Sequence, residues 1–385
     1  MNPLYAAMPT SIFAHMSALA VAHEAVNLGQ GFPDFGWPDD VVARAAEALT
    51  HGSNQYAPML GLPALREAIV AHYARHQGLA LDPDQVFVTS GATEALASAI
   101  LALVSPGDEV LLFQPLYDAY LPLVLRAGGV PRFVRLTPPD WRITAETLAE
   151  ALTPRTRLVV FNNPHNPTAR VFTHEELALL AEACVGHDAI ALTDEVWEHL
   201  VFDGRRHVPL AGLPGMAERT VKVGSAGKIF SLTGWKVGWV IAPAAIAAAI
   251  AKAHQYVAYA TPPNLQAAVA YGLGKEDSYF DGMRSAFQSA RDGLAAQLAA
   301  IGYAALPAEG TYFVNVDLAA SGISEPDADF CERAVREAGV AAIPVSAFYA
   351  ERPVTSIVRL CFAKREETLA AGVAGLARAR ALTRP

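Results

Sequence analysis

Six short runs in the first two thirds of the chain are apolar at nearly every position rather than at alternate ones: Val86 to Thr89, Glu109 to Phe113, Leu158 to Phe161, Ala189 to Thr193, Thr220 to Val223 and Val237 to Ile241. A strand with one wet face alternates, whereas a strand apolar on both sides must be covered on both sides. Amphipathic or Ala/Leu-rich stretches such as Thr173 to Cys184 lie between the runs and supply that cover. The pattern specifies an α/β fold: a large, mostly parallel sheet with helices on both faces. Such sheets bind ligands outside the carboxyl ends of their strands, so chemistry is expected just after each run.

From about Lys275 the pattern changes. A long helical stretch leads to strands at Tyr312 to Val316, Ala341 to Pro344 and Ser356 to Ala363, with helices at Phe330 to Ala338 and Glu366 to Ala381. This reads as a second, smaller α+β domain. The opening segment carries turn chemistry in Gly29-Gln30-Gly31-Phe32-Pro33-Asp34 and is expected to pack on that second domain. A chain of 385 residues calls for about two domains. The division is expected to be a large domain over 37–275 and a small one built from 1–36 and 276–385.

Composition narrows the function. With 38 acidic against 29 basic residues, a net charge of -9 and no Lys/Arg run, nucleic acid is not an expected partner. Cys184, Cys331 and Cys361 have no C-x-x-C spacing and no His at ligand intervals, so neither disulfides nor a metal site are expected, and a reducing cytoplasm fits. The first Lys or Arg is Arg44, which leaves the start without the charged opening of a secretory signal. The most apolar stretch, Val237 to Ala251, contains Pro243 and stops at Lys252, short of the ~20 residues of a membrane span.

Five segments carry candidate chemistry. Ser225-Ala226-Gly227-Lys228 follows a strand run and precedes Ser231-Leu232-Thr233-Gly234-Trp235-Lys236-Val237-Gly238. A lone lysine is usually solvated, but small neighbours leave room to hold this one. Ser-x-x-Lys also opens the penicillin-binding motif, whose Ser-Asp-Asn and Lys-Thr-Gly partners are absent. Ser90-Gly91-Ala92-Thr93-Glu94 joins a strand to a helix, either as a side-chain-capped start, the commoner meaning, or as a cradle of free amides for a phosphate. Asn162 to Thr168 is stiffened by two prolines, as a turn or as a loop that holds one polar side chain still. Asp194, after another run, is an N-cap or a functional carboxylate. Arg359 interrupts the apolar run Ile357 to Phe362; it cannot shed its charge, so it either snorkels from an edge strand or waits, buried, for a carboxylate.

Together, Gly29-Gln30-Gly31-Phe32-Pro33-Asp34-Phe35, Asn54-Gln55-Tyr56-Ala57-Pro58, Asn163-Pro164-His165-Asn166-Pro167-Thr168, Asp194-Glu195-Val196, Lys228 with Thr233-Gly234-Trp235-Lys236-Val237-Gly238, and Arg359-Leu360-Cys361-Phe362 run in one order over nearly the whole chain. In that order they resemble the fold-type-I pyridoxal-phosphate-dependent aminotransferases of class I and II, in the branch of kynurenine (glutamine) and bacterial methionine aminotransferases. The resemblance implies that Lys228 bonds the cofactor covalently and then carries the substrate proton. It implies that Asp194 pairs with the pyridine nitrogen, Asn166 donates to the 3′ oxygen and Tyr117 stacks on the ring. Ser225, Lys236 and the amides of Ala92 and Thr93 are implied phosphate ligands, with Tyr56 reaching in from the partner of a homodimer. Arg359 would take the substrate α-carboxylate with Gly31 offering a backbone contact nearby. Phe13, Tyr259 and Tyr349 are candidate walls of the side-chain pocket, Tyr259 from the partner; plain packing is the competing meaning for each.

Two positions depart from the family pattern. Ala169 stands where relatives usually have Gly after Asn-Pro-Thr, which constrains a turn. Trp197 stands where relatives usually have a Tyr that donates to the cofactor's 3′ oxygen; an indole has one N–H at a different point, which leaves Asn166 as the main expected donor. The expected activity is ping-pong transfer of an amino group between an L-amino acid, of aromatic, methionine or glutamine type, and a 2-oxo acid. A β-eliminating C–S lyase shares most of these residues, and N-succinyldiaminopimelate and alanine aminotransferases are further alternatives. A cofactor-dependent regulator would carry a DNA-binding domain, for which the roughly 30 residues ahead of Gly29 are too few.

Overall fold

The computed structural model describes residues 1–383. The doubly apolar runs assemble into one seven-stranded sheet, in the spatial order Val86–Thr89, Gly238–Ile241, Thr220–Ser225, Ile190–Asp194, Thr156–Asn162, Glu109–Gln114 and Val130–Arg135. Gly238–Ile241 runs antiparallel to both neighbours, and every other pair is parallel. The sequence reading did not anticipate Val130–Arg135. It is an edge strand, only partly buried, and its Pro131, Arg132 and Arg135 hide the doubly apolar signature.

Each face of the sheet has its own core. Phe87 points into the core that holds Leu96 and Ile250 from the helices Gly91–Leu103 and Ala244–Val257. Its neighbours Val86 and Val88 point the other way, among Leu65, Ile69 and Val269 from the helices Pro63–Gln77 and Pro263–Leu273. Helices on both sides are therefore what the apolar runs required.

A second sheet of four antiparallel strands runs in the order Ile343–Pro344, Ile357–Cys361, Phe313–Asp317 and Ala304–Ala305. The expected strand from Ala341 to Pro344 is two short ones. Val340–Ala341 pairs in parallel with Val26–Asn27 of the opening segment, while Ile343–Pro344 joins the four-stranded sheet. The opening segment is fastened here: the Cys361 amide donates to the Leu28 carbonyl at 2.7 Å and Lys364 Nζ donates to the Phe32 carbonyl at 2.8 Å, while within the segment the Asn27 side chain accepts from the amides of Gly29 (2.9 Å) and Gln30 (3.0 Å) and shapes the turn. Arg359 has Ile343 on one side and Asn315 on the other, so its strand is interior and the snorkelling alternative fails.

One buried ion cluster braces the large sheet. Lys222, 1% exposed, donates to Glu195 and, at 2.8 Å, is paired with Glu198. Tyr73 donates to Glu198 at 2.6 Å, Trp239 donates to the Tyr73 hydroxyl at 2.9 Å, and His207 Nε2 lies 2.6 Å from Glu195. Glu195, Glu198 and His207 bring ligand-type atoms within 4.8 Å of one another, and the Lys222 ammonium is the cation bonded between the two carboxylates. Burial alone would raise the Glu195 carboxyl, but Lys222 and His207 override it and hold it at about 2. Lys222→Met should therefore leave two buried carboxylates without their shared cation and destabilise the fold by about 3 to 5 kcal/mol, measured by urea unfolding. Because Glu195 ionises near 2 in the fold rather than at its ordinary 4.5, its contribution is complete above about 4.5 and is withdrawn as pH falls toward 2. A wild-type unfolding midpoint flat from pH 5 to 3 would contradict that linkage.

Candidate active site

The carboxyl ends of the central strands open into one cavity, and at its floor lies Asp194, the last residue of its strand. Its carboxylate accepts from the Tyr120 hydroxyl at 2.7 Å. Burial raises the Asp194 carboxyl, and Tyr120, the Val196 amide and the charge of Lys228 offset only part of that. The segment that follows is a turn rather than a helix, so Asp194 is not an N-cap. Asn162 ties the neighbouring strand end to it: its Nδ2 donates to the Asp194 carbonyl at 2.7 Å and its Oδ1 accepts from the Asn166 amide at 2.7 Å.

Lys228 projects from the four-residue helix Ala226–Ile229. Its Nζ donates to the Tyr312 hydroxyl at 3.0 Å and lies 4.7 Å from the centre of the Trp197 ring. Burial lowers its amine to about 8 against the pull of Asp194. Trp197 also stands edge to face with Tyr312, ring centres 4.2 Å apart. Thus the indole presents its face to the lysine, an arrangement in which the ring serves as a wall for a cation.

At the other end of the cavity the helix Gly91–Leu103 begins without a side-chain cap, contrary to the commoner expectation for Ser90. The Ser90 amide instead donates to Glu94, at 3.0 Å. Gly91 takes φ +77°, and a Cβ there would sit 3.3 Å from Lys236 Nζ. Gly238 lets the strand and helix abut: a Cβ on it would meet the Ala92 amide nitrogen at 2.8 Å. Free amides, Lys236 and Ser225 therefore converge on one spot of the lining, which is chemistry suited to a phosphate dianion.

Above the cavity, Arg359 is 1% exposed. It donates to the Asn166 side chain at 2.7 Å and to the Gly29 carbonyl at 3.1 Å, while its Nε has no partner. Its guanidinium lies 3.9 Å from the centre of the Phe313 ring and 5.3 and 5.2 Å from those of Phe13 and Phe348. Desolvation lowers its pKa to about 10, a measure of how poorly the chain itself neutralises it.

The expected residues thus fall into four places. Ala92, Thr93, Tyr117, Asn166, Asp194, Trp197, Ser225, Lys228 and Lys236 line a single cavity. Arg359, Phe13 and Gly31 lie over it, although the Gly31 carbonyl is taken by the Tyr312 hydroxyl. Tyr56 and Tyr259 stand outside it on the surface, 88% and 42% exposed and packed edge to face at 5.7 Å. Tyr349 borders a different, apolar cavity and donates to the Leu136 carbonyl at 2.8 Å. Ala169, at the departure from Gly, keeps the left-handed φ of +62° and accepts from the Glu309 and Gly310 amides, so the turn survives the substitution. Three residues went unassigned in the sequence: Asn162, Tyr120 and Tyr312.

Comparison with known proteins decides the family. The profile described as aminotransferase class I and II matches residues 23–376. The chain belongs to the class I and II aminotransferases. It is 45% identical to the probable N-succinyldiaminopimelate aminotransferase of Mycobacterium tuberculosis over 94% of each chain, and 44% identical to the methionine aminotransferase of Escherichia coli, again over 94% of each. Human kynurenine–oxoglutarate transaminase 1 is 38% identical over 92% of each. The solved structure of the Mycobacterium tuberculosis enzyme superposes with a TM-score of 0.95 over 98% of this chain and 99% of that one. The fold is that of the fold-type-I pyridoxal-phosphate enzymes, and the family implies pyridoxal 5′-phosphate as cofactor. The cavity fits that group: a lysine amine, a buried carboxylate and an uncapped helix start lie in one lining.

One consequence is testable without the cofactor. In the cofactor-free aminotransferase, Lys228 should be acylated with a pH midpoint near 8, well below the 10.5 of an ordinary lysine, because burial penalises its ammonium. Peptide mass spectrometry across a pH series reads this directly, and a midpoint at or above 10 would remove the desolvation argument.

Proposed function

We propose that this aminotransferase takes L-amino acids with bulky uncharged side chains, of aromatic, methionine or glutamine type, and pairs them with a 2-oxo acid in a ping-pong cycle. The observation that carries the reading is Arg359: a buried guanidinium with one unpartnered N–H and no carboxylate bonded to it. The missing anion is supplied by the α-carboxylate of the substrate, held bidentately. Phe348, which flanks Arg359, also borders an apolar cavity of about 700 Å³ with Ile12, Leu116, Leu121 and Tyr349. Its lining includes Asp118, Thr10, Ser11 and His15 and neither Lys nor Arg, so a distal carboxylate would meet an acid and no permanent cation. That disfavours the N-succinyldiaminopimelate type, whose case is the identity to the Mycobacterium tuberculosis relative.

Bound pyridoxal phosphate supplies an electron sink for the charge left at the substrate's α-carbon. The chain does the rest. Amides of Ala92 and Thr93 with Ser225 and Lys236 anchor the phosphate, Tyr117 covers one ring face, Asn166 serves the 3′ oxygen, and Asp194 keeps the pyridine nitrogen protonated. The depressed pKa of Lys228 leaves a useful fraction of free amine near neutrality, so its Nζ can take the α-proton and return it. The exposed Tyr56 and Tyr259 support a homodimer in which both reach the partner's site. Cys184, Cys331 and Cys361 are buried and free, in keeping with a reducing compartment. Among the described residues no helix is long and apolar enough to cross a membrane.

A panel of amino donors against 2-oxo acids, with ammonia and pyruvate followed, tests the activity. Methionine, phenylalanine, kynurenine or glutamine should outperform aspartate and N-succinyldiaminopimelate, without stoichiometric ammonia; the reverse ranking would reassign the substrate, and ammonia release would reassign the reaction to β-elimination. Arg359→Lys should weaken kcat/KM for every donor by about 1.5 to 3 kcal/mol, through loss of the bidentate fork. A loss limited to one side-chain class would move Arg359 to the side-chain pocket.

Mixed dimers test the shared site. A Tyr56→Phe subunit paired with a Lys228→Ala subunit should retain one intact site, built from Lys228 of the first chain and Tyr56 of the second. If the residual activity instead matches that of the Tyr56→Phe homodimer per intact lysine, Tyr56 acts within its own chain.

A further inference from the structure

Tyr312 lies in the Glu309-Gly310-Thr311-Tyr312 approach to the strand Phe313–Asp317, and it is 0% exposed. Two contacts fix its hydroxyl. It donates its one proton to the Gly31 carbonyl, and its oxygen accepts from Lys228 Nζ at 3.0 Å. A phenol has a single O–H, so a proton committed to Gly31 leaves only lone pairs facing the lysine. Burial pushes its pKa well above the ordinary 10, which keeps that proton in place at any working pH. The ring is held as firmly as the hydroxyl, with Trp197 at 4.2 Å, edge to face, and Phe313 at 5.0 Å between ring centres.

We propose that Tyr312 is a positioning residue for Lys228: its oxygen takes one Nζ–H, so that the lone pair of the free amine is aimed away from the Tyr312 side of the site and toward the reacting carbon. The inference rests on the reading that Lys228 is the acting amine. An unrestrained lysine head rotates about its last bond and presents its lone pair in three directions. In this site Trp197 offers Nζ a ring face, which attracts a cation but does not orient an individual N–H. Tyr312 is the directional contact. After Nζ has taken a proton, the same oxygen stabilises the ammonium through a charge-assisted bond. The Gly31 carbonyl belongs to the opening segment, so the turn beneath Arg359 also sets the place of the Lys228 amine.

Tyr312→Phe removes one oxygen and keeps the ring that packs on Trp197. In the holoenzyme kcat should fall about tenfold or more while KM stays within about twofold, because ground-state contacts to substrate are untouched. In the cofactor-free protein the acylation midpoint of Lys228 should fall by about one pH unit, since the ammonium loses an acceptor worth a charged hydrogen bond. A purely structural tyrosine would move neither. A variant with a wild-type thermal melt, wild-type kcat and an unmoved midpoint overturns the inference. The unsubstituted protein gives a second readout: with tyrosine labelled at the hydroxyl-bearing ring carbon, the Tyr312 resonance should titrate with the Lys228 midpoint, and a resonance that ignores it overturns the contact. Borohydride reduction of the holoenzyme separates the two levels. Cofactor fixed to another lysine overturns the reading of the site and this inference with it; cofactor fixed to Lys228 with no effect of Tyr312→Phe overturns the positioning role alone.

Discussion

Desolvation of charge at the carboxyl edge of the large sheet is the constraint from which the rest of the molecule follows. Asp194 and Arg359 are buried and Lys228 is half-buried in the cavity wall, and desolvation displaces the pKa of each toward its neutral form. Burying a charge without a partner is costly, and a chain that retains three such groups in one place is keeping them for something outside itself. On the proposed reading, the cofactor's basic nitrogen answers Asp194, its carbonyl carbon answers the Lys228 amine, and a substrate carboxylate answers Arg359.

The Lys222 cluster shows what the same residue types look like when the chain satisfies them internally. Asp194 and Glu195 are consecutive, and the extended backbone sends them to opposite sides. Glu195 meets Lys222 and His207, which hold its carboxyl below the usual range. Asp194 meets a phenol and a more distant amine, and its carboxyl stays above that range. The difference between a structural and a functional carboxylate in this protein is therefore the completeness of its partners, since both are buried.

How much of this was legible in the sequence depends on where each residue sits relative to a strand end. Lys228, Asp194, Asn166 and Ser225 follow runs that are apolar on both faces, and the strand-end rule alone singles out their segments. Arg359 was legible as an anomaly, a permanent charge in an apolar run, but its interior position needed the pairing of its strand with both neighbours. Tyr120 and Tyr312 were not legible. An aromatic residue in a helix or beside a strand reads as core, and the hydroxyl that ties each one to the site finds its partner 74 or 84 residues away in the chain. Val130–Arg135 escaped for the opposite reason, because an edge strand keeps polar residues on its open side.

The site is also divided between the two sheets, and the division has a mechanical meaning. Asp194, Lys228, Ser225 and the helix start at Gly91 belong to the large sheet and its connections, the side proposed for the cofactor. Arg359, Tyr312 and the turn at Gly29 to Gly31 belong to the four-stranded sheet and the segment fastened to it, the side proposed for the substrate. Two hydrogen bonds join the halves directly at the chemistry: Arg359 to Asn166, and Lys228 to Tyr312. Each engages a group that the proposed function also gives to a ligand, so on that reading the chain's own contacts mark out the positions that substrate and cofactor would share. An anchored α-carboxylate and an oriented amine on opposite sides of one reacting carbon then require only that the two sheets keep their spacing. The fastening of the opening segment to the smaller sheet, through the Cys361 amide and Lys364, is what holds its half of that spacing.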